Sequence, residues 1–221
     1  MLFLVVPAGG SGLRMGTAIP KQFLDWGGIP LICATINAFF APDMPKIDGI
    51  ALALPSDRLD EATKWTFPAP HWCTAGGATR HESVAAAINL LPDAPQAIVM
   101  IHDAVRPFPP LRPIHEAIHA LDAWDGSVLA EASIDTLKRI DANFKIIATE
   151  PREQIFRAQT PQMAKLSTWR NAFAWAKEND FKCTDDVSIL EAMELSVRLI
   201  PSPPSNQKLT VPEDLKILQR S

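Results

Sequence analysis

No stretch of the 221-residue sequence approaches the run of roughly 18–20 apolar residues that a membrane-spanning helix requires. The opening residues, Met1-Leu2-Phe3-Leu4-Val5-Val6-Pro7, carry no basic segment ahead of their apolar run. A secretory signal is therefore not expected, nor any membrane association. Cysteine is scarce: Cys33, Cys73 and Cys183 are odd in number, scattered and without metal-site spacing, as in a reduced cytoplasmic protein. Positive charge is not in excess either. Lys and Arg number 21 against 25 Asp and Glu, a net charge of −4, so no general basic surface for nucleic acid is implied. Any phosphate chemistry must rest on a few placed cations.

What is present is ordinary in bulk and uneven in detail. Hydrophobic residues make up 47% and charged residues 21%, which excludes disorder, coiled coil and collagen. The length allows a core that is stable without disulfides or structural metal. Proline supplies 20 residues, close to twice the ~5% of average usage, so many connections should be stiff. Of only ten glycines, Gly9, Gly10, Gly12, Gly16, Gly27 and Gly28 fall in the first 28 residues.

Short apolar runs closed by turn residues, at Leu2–Val6, Ile50–Leu54, Ile98–Ile101, Ser127–Ala130 and Val197–Ile200, predict strands buried on both faces. Helical spacing falls between them, over Pro30–Phe40, Glu82–Leu91, Leu111–Trp124 and Thr168–Ala176. Thr184-Asp185-Asp186 reads as a threonine cap followed by a first turn of acidic residues. This alternation predicts an α/β fold, a Rossmann-like, mostly parallel twisted sheet flanked by helices. Residues 132–158 interrupt it. Two short strand-like segments around Asp141-Ala142-Asn143 read as a hairpin with too little apolar surface to stand alone. The expectation is one domain spanning residues 1–221, with this hairpin either an arm packing on a second subunit or a surface hairpin over its own domain.

Three segments invite chemistry. Pro7-Ala8-Gly9-Gly10-Ser11-Gly12-Leu13-Arg14, followed by Pro20-Lys21-Gln22, turns a strand into a glycine-rich loop whose backbone N–H groups can face a phosphate. It is not a Walker loop, because Gly16 precedes Thr17-Ala18. Nor is it a dinucleotide fingerprint, because Met15 stands where the last glycine is needed. The second segment, Gly76-Gly77-Ala78-Thr79-Arg80-His81-Glu82-Ser83-Val84, places two glycines before a helix with serine in its first turns. The third, His102-Asp103-Ala104-Val105-Arg106-Pro107, lies past the carboxyl end of the most apolar strand, where doubly wound sheets bind ligands. Asp103 suits a metal, a ribose or a substrate hydroxyl, and Arg106 suits a phosphate. A structural Asp–Arg pair is the plainer alternative. His102 reads as a hydrogen-bonded core residue, and Gln159-Thr160-Pro161-Gln162 as a turn.

In this order, and with Asp135-Thr136-Leu137-Lys138 and Lys208-Leu209-Thr210-Val211-Pro212-Glu213-Asp214-Leu215, the segments resemble the 2-C-methyl-D-erythritol 4-phosphate cytidylyltransferases of non-mevalonate isoprenoid synthesis. The resemblance covers essentially the whole chain and implies a nucleotide-diphospho-sugar transferase fold. It implies transfer of CMP from CTP to a sugar-alcohol phosphate, with Mg²⁺ or another divalent cation bound mainly through the CTP phosphates. By the same resemblance Pro7, Ala8, Gly9, Gly10, Gly12, Gly77, Ser83, Asp103 and Ala104 would bind the nucleotide. Arg14, Lys21 and Lys208 would surround the triphosphate. Asp103, Arg106, Thr160, Thr184 and Lys208 would lie near the sugar phosphate. The family is a homodimer, so Thr136 and Arg152 of the arm would reach the partner's substrate. Ala78 departs from relatives that carry a polar residue there. Ribitol-5-phosphate cytidylyltransferases share part of the pattern, but Thr184-Asp185-Asp186-Val187-Ser188 is more similar to the methylerythritol branch. A non-catalytic nucleotide-binding relative is the third alternative.

Overall fold

The structure, a computed structural model, describes residues 1–10 and 19–209. In chain order its strands are β1 (Leu2–Pro7), β2 (Asp25–Trp26), β3 (Ile29–Pro30), β4 (Gly49–Leu54), β5 (His71–Ala75), β6 (Ile98–Ile101), β7 (Gly126–Ala132), β8 (Lys138–Ile140), β9 (Ile146–Thr149), β10 (Phe156–Lys165) and β11 (Val197–Pro201). The helices are α1 (Leu31–Ala38), α2 (Leu59–Ala62), α3 (Arg80–Ile88), α4 (Leu111–Ala120), α5 (Leu166–Glu178) and α6 (Val187–Ala192).

Seven strands form one sheet in the order β11-β7-β10-β6-β1-β4-β5. β1 pairs in parallel with β4 and β6, β4 with β5, and β11 with β7, whereas β10 runs antiparallel to both β6 and β7. The expected mostly parallel sheet is therefore present, with one reversed strand. Its faces are covered by helices: Ile32, Ile36, Ile114 and Ala117 of α1 and α4 on one side, and Val84, Trp169 and Leu190 of α3, α5 and α6 on the other. Strands buried on both faces read as continuous apolar runs, which is why β1, β4 and β6 were legible.

β5 and β10 were not expected. β5 is a half-buried edge strand with mixed residues, so its apolar signal is weak. β10 carries buried Gln159, Thr160 and Gln162 together with Pro161, a composition that argues against a central strand. A register shift between Ala158 and Gln162 accommodates the proline, so these residues lie in a bulged strand and not in a free turn. α4 stops at Ala120, short of Trp124, and α5 extends from Leu166 to Glu178, beyond its expected limits. The Gly27–Gly28 turn joins β2 to β3 with both residues at positive φ, a conformation that glycine adopts without strain. β8 and β9 pair antiparallel as the expected hairpin between β7 and β10. Among the described residues no helix is long and apolar enough to cross a membrane.

Candidate active site

Because β10 runs against its neighbours, its second half pairs along β6 and its middle reaches the carboxyl end of that strand, with Gln162 opposite Ile101. Thr160 is thereby set beside His102 and Asp103. The Asp103 N–H donates to Thr160 Oγ1 (3.0 Å), and the Thr160 hydroxyl donates to His102 Nδ1 (3.1 Å). His102 Nε2 donates to the Arg106 carbonyl (3.0 Å), so both ring nitrogens are used by a neutral imidazole. Burial pushes its pKa down to about 4. His102 is thus the hydrogen-bonded core residue that the sequence suggested, not a general base.

Asp103 is the centre of the charge pattern. Its Oδ2 receives Lys208 Nζ at 2.9 Å and Arg106 Nε at 3.3 Å, while Oδ1 receives Arg80 Nε and Nη2 at 3.3 Å. Burial alone would raise its carboxyl pKa. The charges of Arg80, Lys208 and Arg106 overcome that and hold it well below the usual carboxylate range. Arg80 also donates from Nη1 to Asp186 Oδ2 (2.5 Å). Three cations thus face two buried carboxylates, leaving a surplus of positive charge. Arg106 is the most committed cation: its side chain is 9% exposed and its Nη1 donates to the Asn206 carbonyl (2.6 Å). Lys208, at 39%, is the most exposed and the freest to turn toward a ligand.

Two more strand ends adjoin this network. Ala8 N donates to the Ala53 carbonyl and Gly76 N to the Leu54 carbonyl, so the segments after β1 and β5 meet above the end of β4. A Cβ on Gly76 would come within 2.8 Å of the Gly9 Cα, so this approach requires glycine on both sides. Gln22 Nε2 ties the first segment down by donating to the Ala8 (2.7 Å) and Gly10 (2.8 Å) carbonyls. Lys21 Nζ donates to the Leu209 carbonyl (3.1 Å), joining the Lys21–Phe23 turn to the irregular segment that carries Lys208. Ala104 is buried and its carbonyl accepts from Thr35 Oγ1 (3.0 Å).

Ser83 also holds its own surroundings in place. Its Oγ accepts from the Gly77 N–H (3.1 Å) and donates to the Thr79 carbonyl (3.0 Å). Thr79 and Glu82 complete a capping box at the start of α3. The Thr184 cap is corrected: α6 begins at Val187, and Thr184 makes no capping hydrogen bond. Instead Gln162 Oε1 accepts from the N–H groups of Asp186 and Val187, and Asp185 Oδ1 accepts from the Ser188 N–H (3.2 Å). Asp186 is fully buried, makes no side-chain cap bond to α6, and pairs with Arg80.

Thr136 and Arg152 lie on the exposed hairpin segment, with Arg152 3.7 Å from Glu153. Among the described residues no ion pair or hydrogen bond joins them to Asp103 within the chain. Gly12 and Arg14 lie outside the described residues. Sequence reasoning missed Arg80, Gln162, Asp186 and Asn206 as members of the site, although each stands inside or beside a quoted motif. Asn206 donates from Nδ2 to Gln159 Oε1 (2.9 Å) and the Thr160 carbonyl (2.8 Å), holding the segment that leads to Lys208. Their common signal is a polar residue next to a motif, which only burial reveals as a tether.

Among the described residues no cluster of three or more His, Cys, Asp or Glu side chains can cage a metal. The carboxylate at this strand end, that of Asp103, is engaged by Arg80, Arg106 and Lys208, so a hard divalent ion here would take most of its oxygen ligands from elsewhere.

The family model for 2-C-methyl-D-erythritol 4-phosphate cytidylyltransferase matches residues 2–220. The 2-C-methyl-D-erythritol 4-phosphate cytidylyltransferase of Aromatoleum aromaticum is 38% identical over 98% of this chain and 93% of its own. That of Chromohalobacter salexigens is 37% identical over 99% of this chain and 88% of its own. The crystal structure of the Francisella tularensis 2-C-methyl-D-erythritol 4-phosphate cytidylyltransferase superposes with a TM-score of 0.83 at 26% identity, covering 99% of this chain and 98% of that one.

Proposed function

The chain belongs to the 2-C-methyl-D-erythritol 4-phosphate cytidylyltransferase family, and we propose that its Asp103-centred charge network serves the family's reaction. It is a nucleotidyltransferase of isoprenoid precursor synthesis: CMP passes from CTP to 2-C-methyl-D-erythritol 4-phosphate, and pyrophosphate is released. The observation that carries this reading is the convergence of Arg80, Arg106 and Lys208 on Asp103 at the strand end that adjoins the glycine segment.

An oxygen of the sugar phosphate attacks the α-phosphorus of CTP in line. One P–O bond forms there, and the bond to the β-phosphate oxygen breaks, its electron pair leaving with pyrophosphate. The nucleophile is already ionised, so no general base is needed, in keeping with the committed, neutral His102. Two polyanions must be held together, so the protein's work is positioning and charge cancellation. Lys21 and Lys208 neutralise phosphate oxygens, joined by Arg14, which lies outside the described residues. Lys208 exchanges Asp103 for phosphate when the ligands arrive. The backbone of Pro7 to Gly10 and of Gly77, with Gly12 beyond, receives the nucleotide, and Ser83 keeps Gly77 in place for it. Asp103 and Ala104 border the ribose. Arg106, Thr160 and Thr184 border the sugar phosphate, the first two chiefly by fixing Asp103. A divalent cation carried mainly by the CTP phosphates would supply further neutralisation.

The arm completes the reading. The enzyme acts in the cytoplasm as a homodimer of one-domain subunits, with Thr136 and Arg152 of each arm at the partner's sugar phosphate. The exposed Ile134, Phe144, Ile146 and Ile147 support this, since the hairpin covers none of them within its own chain. The test is a pyrophosphate-release assay with Mg²⁺ over a panel of sugar phosphates. Release is expected with CTP and methylerythritol phosphate together. Release with ribitol 5-phosphate instead would transfer the reading to that branch, and nucleotide binding without turnover would reduce the protein to a sensor.

A further inference from the structure

Arg80 is the one cation of the network that touches two carboxylates from different elements. Its backbone opens α3, where the Thr79–Glu82 capping box fixes the first turn. Its guanidinium then spans outward, with Nε and Nη2 on Asp103 Oδ1 at the end of β6 and Nη1 on Asp186 Oδ2 at the start of α6. Asp186 is itself held by Gln162, whose Oε1 accepts its N–H (2.9 Å), and Arg80 is its charged partner in the fold. A planar fork of donors can hold two carboxylates at once, which the single ammonium of lysine does poorly.

This arrangement has a consequence for Asp103. With Oδ1 occupied by Arg80, Oδ2 is left to Arg106 and Lys208. The Asp103 N–H is already fixed by Thr160, so Arg80 removes the remaining rotational freedom of the carboxylate. We propose that Arg80, braced by Asp186, is a positioning residue that orients Asp103 and through it sets Lys208 for the transfer step. The same contact couples α3, which carries the nucleotide-side glycines at its start, to the Thr184–Val187 segment on the sugar-phosphate side. This inference rests on the placement of Asp103 and Lys208 at the reacting phosphates.

The test is a double-mutant cycle between Arg80 and Asp103. Removing Arg80 alone leaves Asp186 buried and uncompensated, so Arg80→Lys is paired with the double variant Arg80→Met/Asp186→Asn, in which no buried charge is orphaned. Both should retain the wild-type unfolding transition to within a few degrees. In the Asp103 background each should lower kcat about tenfold or more, as small misplacements of reacting groups do, with KM for CTP changed less than about threefold. In an Asp103→Asn background the Arg80→Lys change should cost less than about threefold further, because coupled residues are not additive. Turnover within about threefold of wild type in both folded variants would overturn the proposal. So would an undiminished effect of Arg80→Lys in the Asp103→Asn background, which would mean that Arg80 acts on the ligand itself. An Asp103→Asn protein of normal activity would instead refute the placement of Asp103 in the site. An impaired Asp103→Asn protein beside a normal Arg80→Lys protein would refute only the role of Arg80.

Discussion

The strand-end network and the hairpin arm treat their side chains in opposite ways. Around Asp103 most polar groups are buried and partnered, with Thr160, His102, Gln162 and Asn206 each holding another member of the group. The buried Asp186 Oδ1 and Asn206 Oδ1 stand as the exceptions. On the arm the pattern inverts, with apolar Phe144 82% exposed and Ile134 77% exposed, and the ion pairs Arg139–Glu150 and Arg152–Glu153 on the surface. A buried polar group without a partner costs about 1–3 kcal/mol, so the first region depends on the partners its own chain supplies. The second has no such requirement, and its apolar residues stand exposed on the chain. The network is built from contacts within the chain, whereas the arm leaves its apolar side chains on the surface.

That division can be broken at several points. The largest effect is expected at Lys21: Lys21→Ala should lower kcat by about 10²–10³, the cost of losing one preorganised charge donor, while circular dichroism and the melting transition stay unchanged. Near-normal turnover would remove Lys21 from the catalytic machinery. On the arm, Phe144→Asp combined with Ile146→Asp should lower activity about tenfold or more through lost subunit pairing, with a monomeric mass by light scattering and no loss of core stability. An unchanged dimer would show that the arm is only a surface hairpin.

Within the network the effects turn from rate to stability. Gln162→Ala orphans the N–H groups of Asp186 and Val187 and should cost about 3 kcal/mol in urea unfolding. The smallest effect follows from His102. Its pKa of about 4 in the fold lies below that of an unfolded histidine, near 6.5, so the unfolded chain takes up the proton first as pH falls. The contribution is fully present above about pH 6.5, fades through the window down to pH 4, and is flat below it. Between pH 7.5 and 5 wild type should lose about 2 kcal/mol more than His102→Asn, measured by denaturant unfolding at the two pH values. Equal losses would contradict the neutral, doubly bonded ring. Asp103 lies well below the carboxylate range, so its share of stability persists above about pH 4 and is lost only as the pH falls toward its own low value.

The same contrast explains what could be read from the amino acids. β1, β4 and β6 announce themselves because both faces are apolar, and the arm because Asp141-Ala142-Asn143 breaks two short strand-like segments. β10 was hidden because the chemistry of its residues and their location disagree: Gln159, Thr160 and Gln162 are polar by type and buried by position. The motif residues Asp103, Lys208 and Lys21 were legible from their order along the chain. Arg80 and Asp186 were not, because they lie 106 residues apart and no local pattern records that they pair. Thr184 shows the converse error. Its capping pattern is locally sound, but Gln162, from a strand not foreseen, supplies the acceptor instead.

In the proposed homodimer each active site joins one chain's network to the other chain's arm. Lys21→Ala subunits, inactive in their own network, can be mixed and reannealed with Arg152→Ala subunits, defective in the arm. Each hybrid then contains one site with an intact network facing an intact arm. Pyrophosphate release should recover to about a quarter of the wild-type specific activity at equal mixing, since half the dimers are hybrids with one working site of two. Hybrids confirmed by native mass spectrometry that show no recovery over the parent variants would contradict the crossed arm.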